Sequence, residues 1–159
     1  MTHNRSDGHN IDETYSSVLI NKSIIYEYFE LIKNKDINGL LSLFTDDAII
    51  YEPFSNISGG LQGKSTIKPF LEISMMANNG ITHNIFIEKL SDDDNDNNTS
   101  KEYDDDIDNK NKVTALVTFE RGDIVRARFT FELTPVLSEA NNNSSLRKKI
   151  QILHIKFVG

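Results

Sequence analysis

The spacing of apolar residues changes once along the chain, and this change limits the fold more than any other feature of the sequence. Up to about residue 77 most apolar positions recur every three or four residues, as on one face of a helix; beyond residue 82 they alternate, as on one face of a strand. A chain that spends its helices first and its strands afterwards segregates the two. The layered solution is an α+β domain in which three N-terminal helices pack in the concave face of a curved, mostly antiparallel sheet. A length of 159 residues supplies one such domain with a real core and leaves no room for a second.

The elements follow from the same spacing. From Val18 onward, Ile24, Ile25, Tyr28, Phe29, Leu31 and Ile32 make the stripe of a first helix, with Asn21 as its candidate N-cap and Asn34 near its end. Asp36 suits the cap of a shorter helix carrying Ile37, Leu40, Leu41 and Phe44, and the two form a helical hairpin. Thr45, Asp46 and Asp47 read as a turn. Ala48 to Glu52 read as a strand with Ala48, Ile50 and Glu52 on one face, ended or edged by Pro53, which cannot donate to a ladder. Residues 55–63 contain three glycines and read as a loop. Ser65 to Ala77 form a third helix with Ile67, Phe70, Leu71 and Met75 on one apolar side; it tolerates Pro69 in its first turn and stops at Asn79-Gly80.

The rest is an antiparallel meander of four strands, Thr82–Leu90, Val113–Arg121, Asp123–Leu133 and Lys149–Val158, with a tight hairpin at Arg121-Gly122. Alternation places Val113, Ala115, Val117 and Phe119, then Val125, Ala127, Phe129, Phe131 and Leu133, and finally Leu153, Ile155 and Phe157 on one apolar face. Arg126, Arg128, Thr130, Glu132, His154 and Lys156 fall on the opposite, charged face.

Charge narrows the function classes. Residues 91–111 hold nine acids and two lysines, which carry the whole net charge of −7, so the rest of the chain is balanced. Without a basic excess, nucleic acid and membrane surfaces lose their usual electrostatic attraction. Residues 91–112 are therefore expected as a disordered acidic loop, and residues 1–14 as a disordered tail ahead of a single domain over 15–159. His3 and His9 lie in that tail, where flexibility denies a metal its fixed geometry. Asp92, Asp94 and Asp96 open like a calcium loop, but Asn97 replaces the required Gly and Tyr103 the required Glu, so no metal is expected. The chain has no Cys, which removes disulfides and thiolate metal sites. A polar start and the lack of a long apolar run lead to the expectation of a soluble, cytoplasmic protein.

The order of elements, with Tyr28, Asp36, Phe44, Asp46-Asp47-Ala48 and Glu52-Pro53-Phe54 in register, resembles the nuclear transport factor 2-like superfamily, and within it the SnoaL-like and ketosteroid isomerase-like members. The likeness spans about residues 18–159. It implies a cone-shaped α+β barrel, a homodimer formed through the outer sheet face, and a pocket for a small hydrophobic molecule that works without a cofactor. In the ketosteroid isomerases a helix-1 tyrosine and a carboxylate before a proline form the site, and Tyr28 and Glu52 stand at those positions. There the carboxylate shuttles the proton and the tyrosine donates to the developing oxyanion, chemistry that serves as a standard illustration of pKa tuning. The second oxyanion donor of that family falls on Phe131, which cannot donate, and Thr130 alternates to the wrong face. The resemblance puts Phe157 in the pocket wall.

Read from the residues, Glu52 among Ile50, Phe129 and Phe131 would be a general acid-base if buried, and Tyr28 its hydrogen-bond donor. Phe54, His83, Phe129, Phe131 and Phe157 are the expected ligand-contacting side chains. Two functions stay open. One is a cofactor-independent isomerase or related lyase that moves a proton on a hydrophobic carbonyl compound. The other is a non-catalytic hydrophobic-ligand-binding or dimerisation module, in which Tyr28 is a core residue and Glu52 a solvated strand-end carboxylate.

Overall fold

The computed structural model describes residues 6–88, 110–136 and 147–159, with the side chains of 6–16 excepted; the expected acidic loop therefore lies almost wholly outside the described residues. Helix α1 spans Ser6–Lys33, α2 Ile37–Ser42 and α3 Lys64–Ala77. The strands are β1 (Phe44–Tyr51), β2 (Leu61–Gln62), β3 (Thr82–Glu88), β4 (Lys112–Arg121), β5 (Asp123–Val136) and β6 (Arg147–Val158). They make one six-stranded sheet in the order β2-β1-β6-β5-β4-β3, antiparallel throughout except where β1 runs parallel to β6. The three helices cover its concave face, which is the expected α+β architecture.

Several local expectations are corrected. Helix α1 starts at Ser6, so residues 6–14, expected as a tail, continue the helix. Once a helix is nucleated by its core-facing turns, each added residue gains a backbone bond, and no proline stands in the way. Asn21 is not a cap but a buried mid-helix side chain. Its Oδ1 accepts from Lys148 Nζ at 2.9 Å and its Nδ2 donates to the Lys110 carbonyl at 2.8 Å, so its polar groups are committed to tertiary contacts. Lys148 also donates to that carbonyl at 2.7 Å and to Ser17 Oγ, tying α1, β6 and the approach to β4 together.

Helix α2 ends at Ser42, and Phe44 belongs to β1 rather than to the helix. The expected turn at Thr45–Asp47 is strand as well, but the ladder to β6 slips there: Phe44 pairs with Ile150, whereas Ile49 already pairs with Ile152. Turn-forming residues that must stay extended are accommodated as a bulge, which re-aims the strand. The expected loop at 55–63 ends in β2, which pairs Leu61 with Ile50 and Gln62 with Ile49. By contrast, Asp36 caps α2 as read, its carboxylate accepting from Gly39 N at 2.9 Å.

The core lies between the helices and the inner sheet face. Helix α1 contributes Ile24, Ile25, Tyr28, Phe29 and Ile32, and α3 contributes Ile67, Leu71 and Met75. The sheet answers with Phe44, Ile50, Val117, Phe129, Phe131, Ile150 and Leu153. Each such buried side chain contributes about 1.5–3 kcal/mol of transfer free energy.

Candidate functional site

Helix α3 packs on α1, α2, β1 and β2, and stands away from the strands at the far side of the sheet. The gap is a cavity of about 750 Å³. Among the described residues Thr66, Phe70, Ile73, Ser74 and Asn78 line it from the helix side; Phe119, Val125, Ala127, Phe129 and Ile155 line it from the sheet; Glu52, Phe54, Leu61 and Phe157 also line it. Its volume falls within the range of pockets that enclose a small molecule, and its wall is overwhelmingly apolar.

The helix wall exists because α3 has two apolar faces. Ile67, Leu71 and Met75, spaced by four, are buried in the core. Thr66, Phe70, Ile73, Ser74 and Ala77 follow at helical spacing on the adjacent face and meet the cavity. The sequence reading placed Phe70 with the core stripe and missed the rest. The available signal was that second run of small and apolar residues, too many for one buried stripe.

Among the described residues Glu52 is the sole ionisable one in the cavity wall. It is half-buried rather than enclosed, and its carboxylate is folded onto its own turn. Phe54 N donates to Oε2 at 2.6 Å, Ser55 N donates to Oε1 at 3.1 Å, and Ser55 Oγ also donates to Oε1. Ser55 N also donates to Oε2 at 3.2 Å, so donors of its own turn hold both carboxylate oxygens. β1 ends at Tyr51, and Pro53, which has no N–H to give a ladder, opens this turn.

Tyr28 is elsewhere. Its residue is 1% exposed, its ring is surrounded by Phe29, Phe44, Phe129 and Phe131 with centroids 5.0 to 6.3 Å away, and it does not line the cavity. Burial pushes its phenol well above the ordinary tyrosine value. The expected Tyr28–Glu52 pair is therefore not assembled around the cavity, because four aromatic rings fill the space that the pairing would need. Phe131 sits in the same packed cluster, not in the pocket wall. Phe54, Phe129 and Phe157 are in the wall as read, with Phe54 and Phe157 packed edge to face at 5.4 Å.

His83 stands behind the cavity rather than in its wall, against the rings of Phe29 and Phe119. Asn78 Nδ2 donates to the Ser74 carbonyl at 2.5 Å, which leaves its Oδ1 to accept from His83 Nε2 at 3.0 Å and assigns the ring hydrogen to that nitrogen. Burial first, and the charge of Lys33 second, lower its pKa below the ordinary histidine value. On the outer face, Arg128 pairs with Glu88 at 3.1 Å and His154 with Glu132 at 3.2 Å. Among the described residues no group of three or more His, Asp or Glu is placed to hold a metal ion. No helix among them is long and apolar enough to cross a membrane.

Helices covering one face of a mostly antiparallel sheet are the nuclear transport factor 2-like fold, and solved structures share it with this chain. A nuclear transport factor 2-like protein from Anabaena variabilis superposes with a TM-score of 0.60 at 15% identity, covering 100% of this chain and 95% of its own. A proposed scytalone dehydratase from Novosphingobium aromaticivorans gives 0.58 at 14% identity over 94% of this chain and 89% of that one. A nuclear transport factor 2-like protein of unknown function from Cytophaga hutchinsonii gives 0.50 at 9% identity, covering 86% and 88%. No protein-family profile matches the chain, and no curated protein matches it in sequence. At these identities the likeness concerns the fold.

Proposed function

We propose that this protein binds an apolar small molecule between α3 and the sheet, as a SnoaL-like or ketosteroid isomerase-like pocket protein. The observation that carries this reading is the cavity of about 750 Å³ with a nearly continuous apolar wall. Removing a ligand's apolar surface from water there is worth roughly 25 cal/mol per Å² before the costs of association. The test is calorimetric titration of the full chain with 1-dodecanol, a neutral apolar probe, and with a steroid enone. Saturable one-to-one binding of either probe is expected, and its loss in Ser74→Trp, which projects an indole from the helix wall. Absence of binding by both probes overturns the reading.

A second reading, proton transfer on a carbonyl compound by an isomerase or lyase, is favoured by one observation: among the described residues the sole ionisable one in the cavity wall is a carboxylate, Glu52. Tyr28 does not serve it as oxyanion donor. Loss of one such donor removes about 3 kcal/mol of transition-state stabilisation, so any turnover is expected to be slow. If a deconjugated steroid enone isomerises no faster with the protein than without it, or equally fast with Glu52→Gln, catalysis by this site is excluded.

A further inference from the structure

We infer that the cavity selects for charge: its ligand is an apolar molecule ending in a protonated amine, held at the mouth by Glu52 and the paired rings of Phe54 and Phe157. This rests on the binding reading above and adds the chemistry of the ligand's polar end.

Three observations converge on the mouth. First, among the described residues Glu52 is the sole ionisable one lining the cavity, so the described wall offers a carboxylate and no cation. A ligand carboxylate would meet like charge and have no Lys or Arg in the described wall to pair with. Second, among the described residues the ion pairs involve Asp46, Glu72, Glu88 and Glu132, and Glu52 is in none of them. Its hydrogen bonds come from neutral donors of its own turn, which orient the carboxylate without cancelling its charge. Third, Phe54 and Phe157 line the same mouth, are 76% and 52% exposed, and pack edge to face at 5.4 Å. Aromatic faces attract cations; at rings this exposed the attraction is modest, and it adds to that of the adjacent carboxylate. A carboxylate with two exposed rings at the entrance to an apolar cavity is a receptor for an ammonium group, with the apolar body running inward along α3.

The experiment compares three probes of equal length, dodecylamine, 1-dodecanol and dodecanoate, each below its micelle concentration at pH 7 and 0.15 M salt. Dodecylamine is expected to bind at least tenfold more tightly than the alcohol, and dodecanoate least. Glu52→Gln should bring the amine to within about threefold of the alcohol. Glu72→Gln, which removes an exposed acid of α3, should leave the order intact and so separates the mouth from the chain's general acidity. Phe54→Ala should weaken the amine more than the alcohol, and it tests the same site if Glu52→Gln folds poorly. A flat or reversed charge order, or an order that Glu52→Gln leaves unchanged, overturns this inference while leaving pocket binding intact. Failure of all three probes and of the steroid enone overturns the binding reading itself.

Discussion

Tyr28 contributes through its ring. With four aromatic neighbours around it, Tyr28→Ala leaves a void that those rings cannot close, and the loss should be about 3–5 kcal/mol in urea unfolding. Tyr28→Phe should leave the affinity for 1-dodecanol unchanged, since the residue does not line the cavity. Lys148 is a different case, a buried cation bonded to Ser17, Asn21 and the Lys110 carbonyl. Burial, and secondarily the charge of Lys110, lower its pKa from 10.5 to about 8. Between those two values the unfolded chain holds more protons at this site than the folded one, so folding stability should rise with pH from about 8 toward 10. Urea midpoints across that range should show the rise in the natural chain and lose it in Lys148→Met. Above about 10 the buried Tyr28 opposes the trend, because the unfolded phenol ionises first.

At the scale of elements, α3 divides its work between two faces. Leu71→Ala, on the core face, should cost about 2–5 kcal/mol, whereas Ile73→Ser, on the cavity face, should change stability by less than about 0.5 kcal/mol and weaken apolar-probe binding. Chemical unfolding paired with calorimetry separates the two. Gly60 shows how tightly β2 is set against β1. Its φ is +71°, and a Cβ there would lie 2.8 Å from the Ile50 carbonyl oxygen, so Gly60→Ala should destabilise by about 1–3 kcal/mol from backbone strain, with the clash added. A thermal melt reports the loss, and weakened probe binding should accompany it, because Leu61 beside it is in the cavity wall.

At the scale of the molecule, we propose a homodimer through the outer sheet face. Phe86 on β3, a large apolar side chain left exposed, supports it. Sedimentation of the full chain should give twice the mass of 18.1 kDa, and a monomer would refute the proposal. Within one chain, the α+β class, the three helices, the meander and the inward face of β4 to β6 were legible in the sequence, because each depends on a period that neighbouring residues set locally. The extent of α1 was not, since polar residues can follow a helix that packing has nucleated elsewhere; nor was the bulge in β1, where tertiary pairing overrides turn-forming Thr45-Asp46-Asp47. For the site, Glu52, Phe54, Phe129 and Phe157 were readable as pocket residues from strand alternation and family register. Whether Tyr28 would reach Glu52 was not, because that depends on how four rings from one helix and two strands fill common space. The sequence by itself determined which residues face inward; only tertiary structure decided which inward residues meet one another and which meet a void, since that is a matter of volume shared among distant segments, and no local period encodes it.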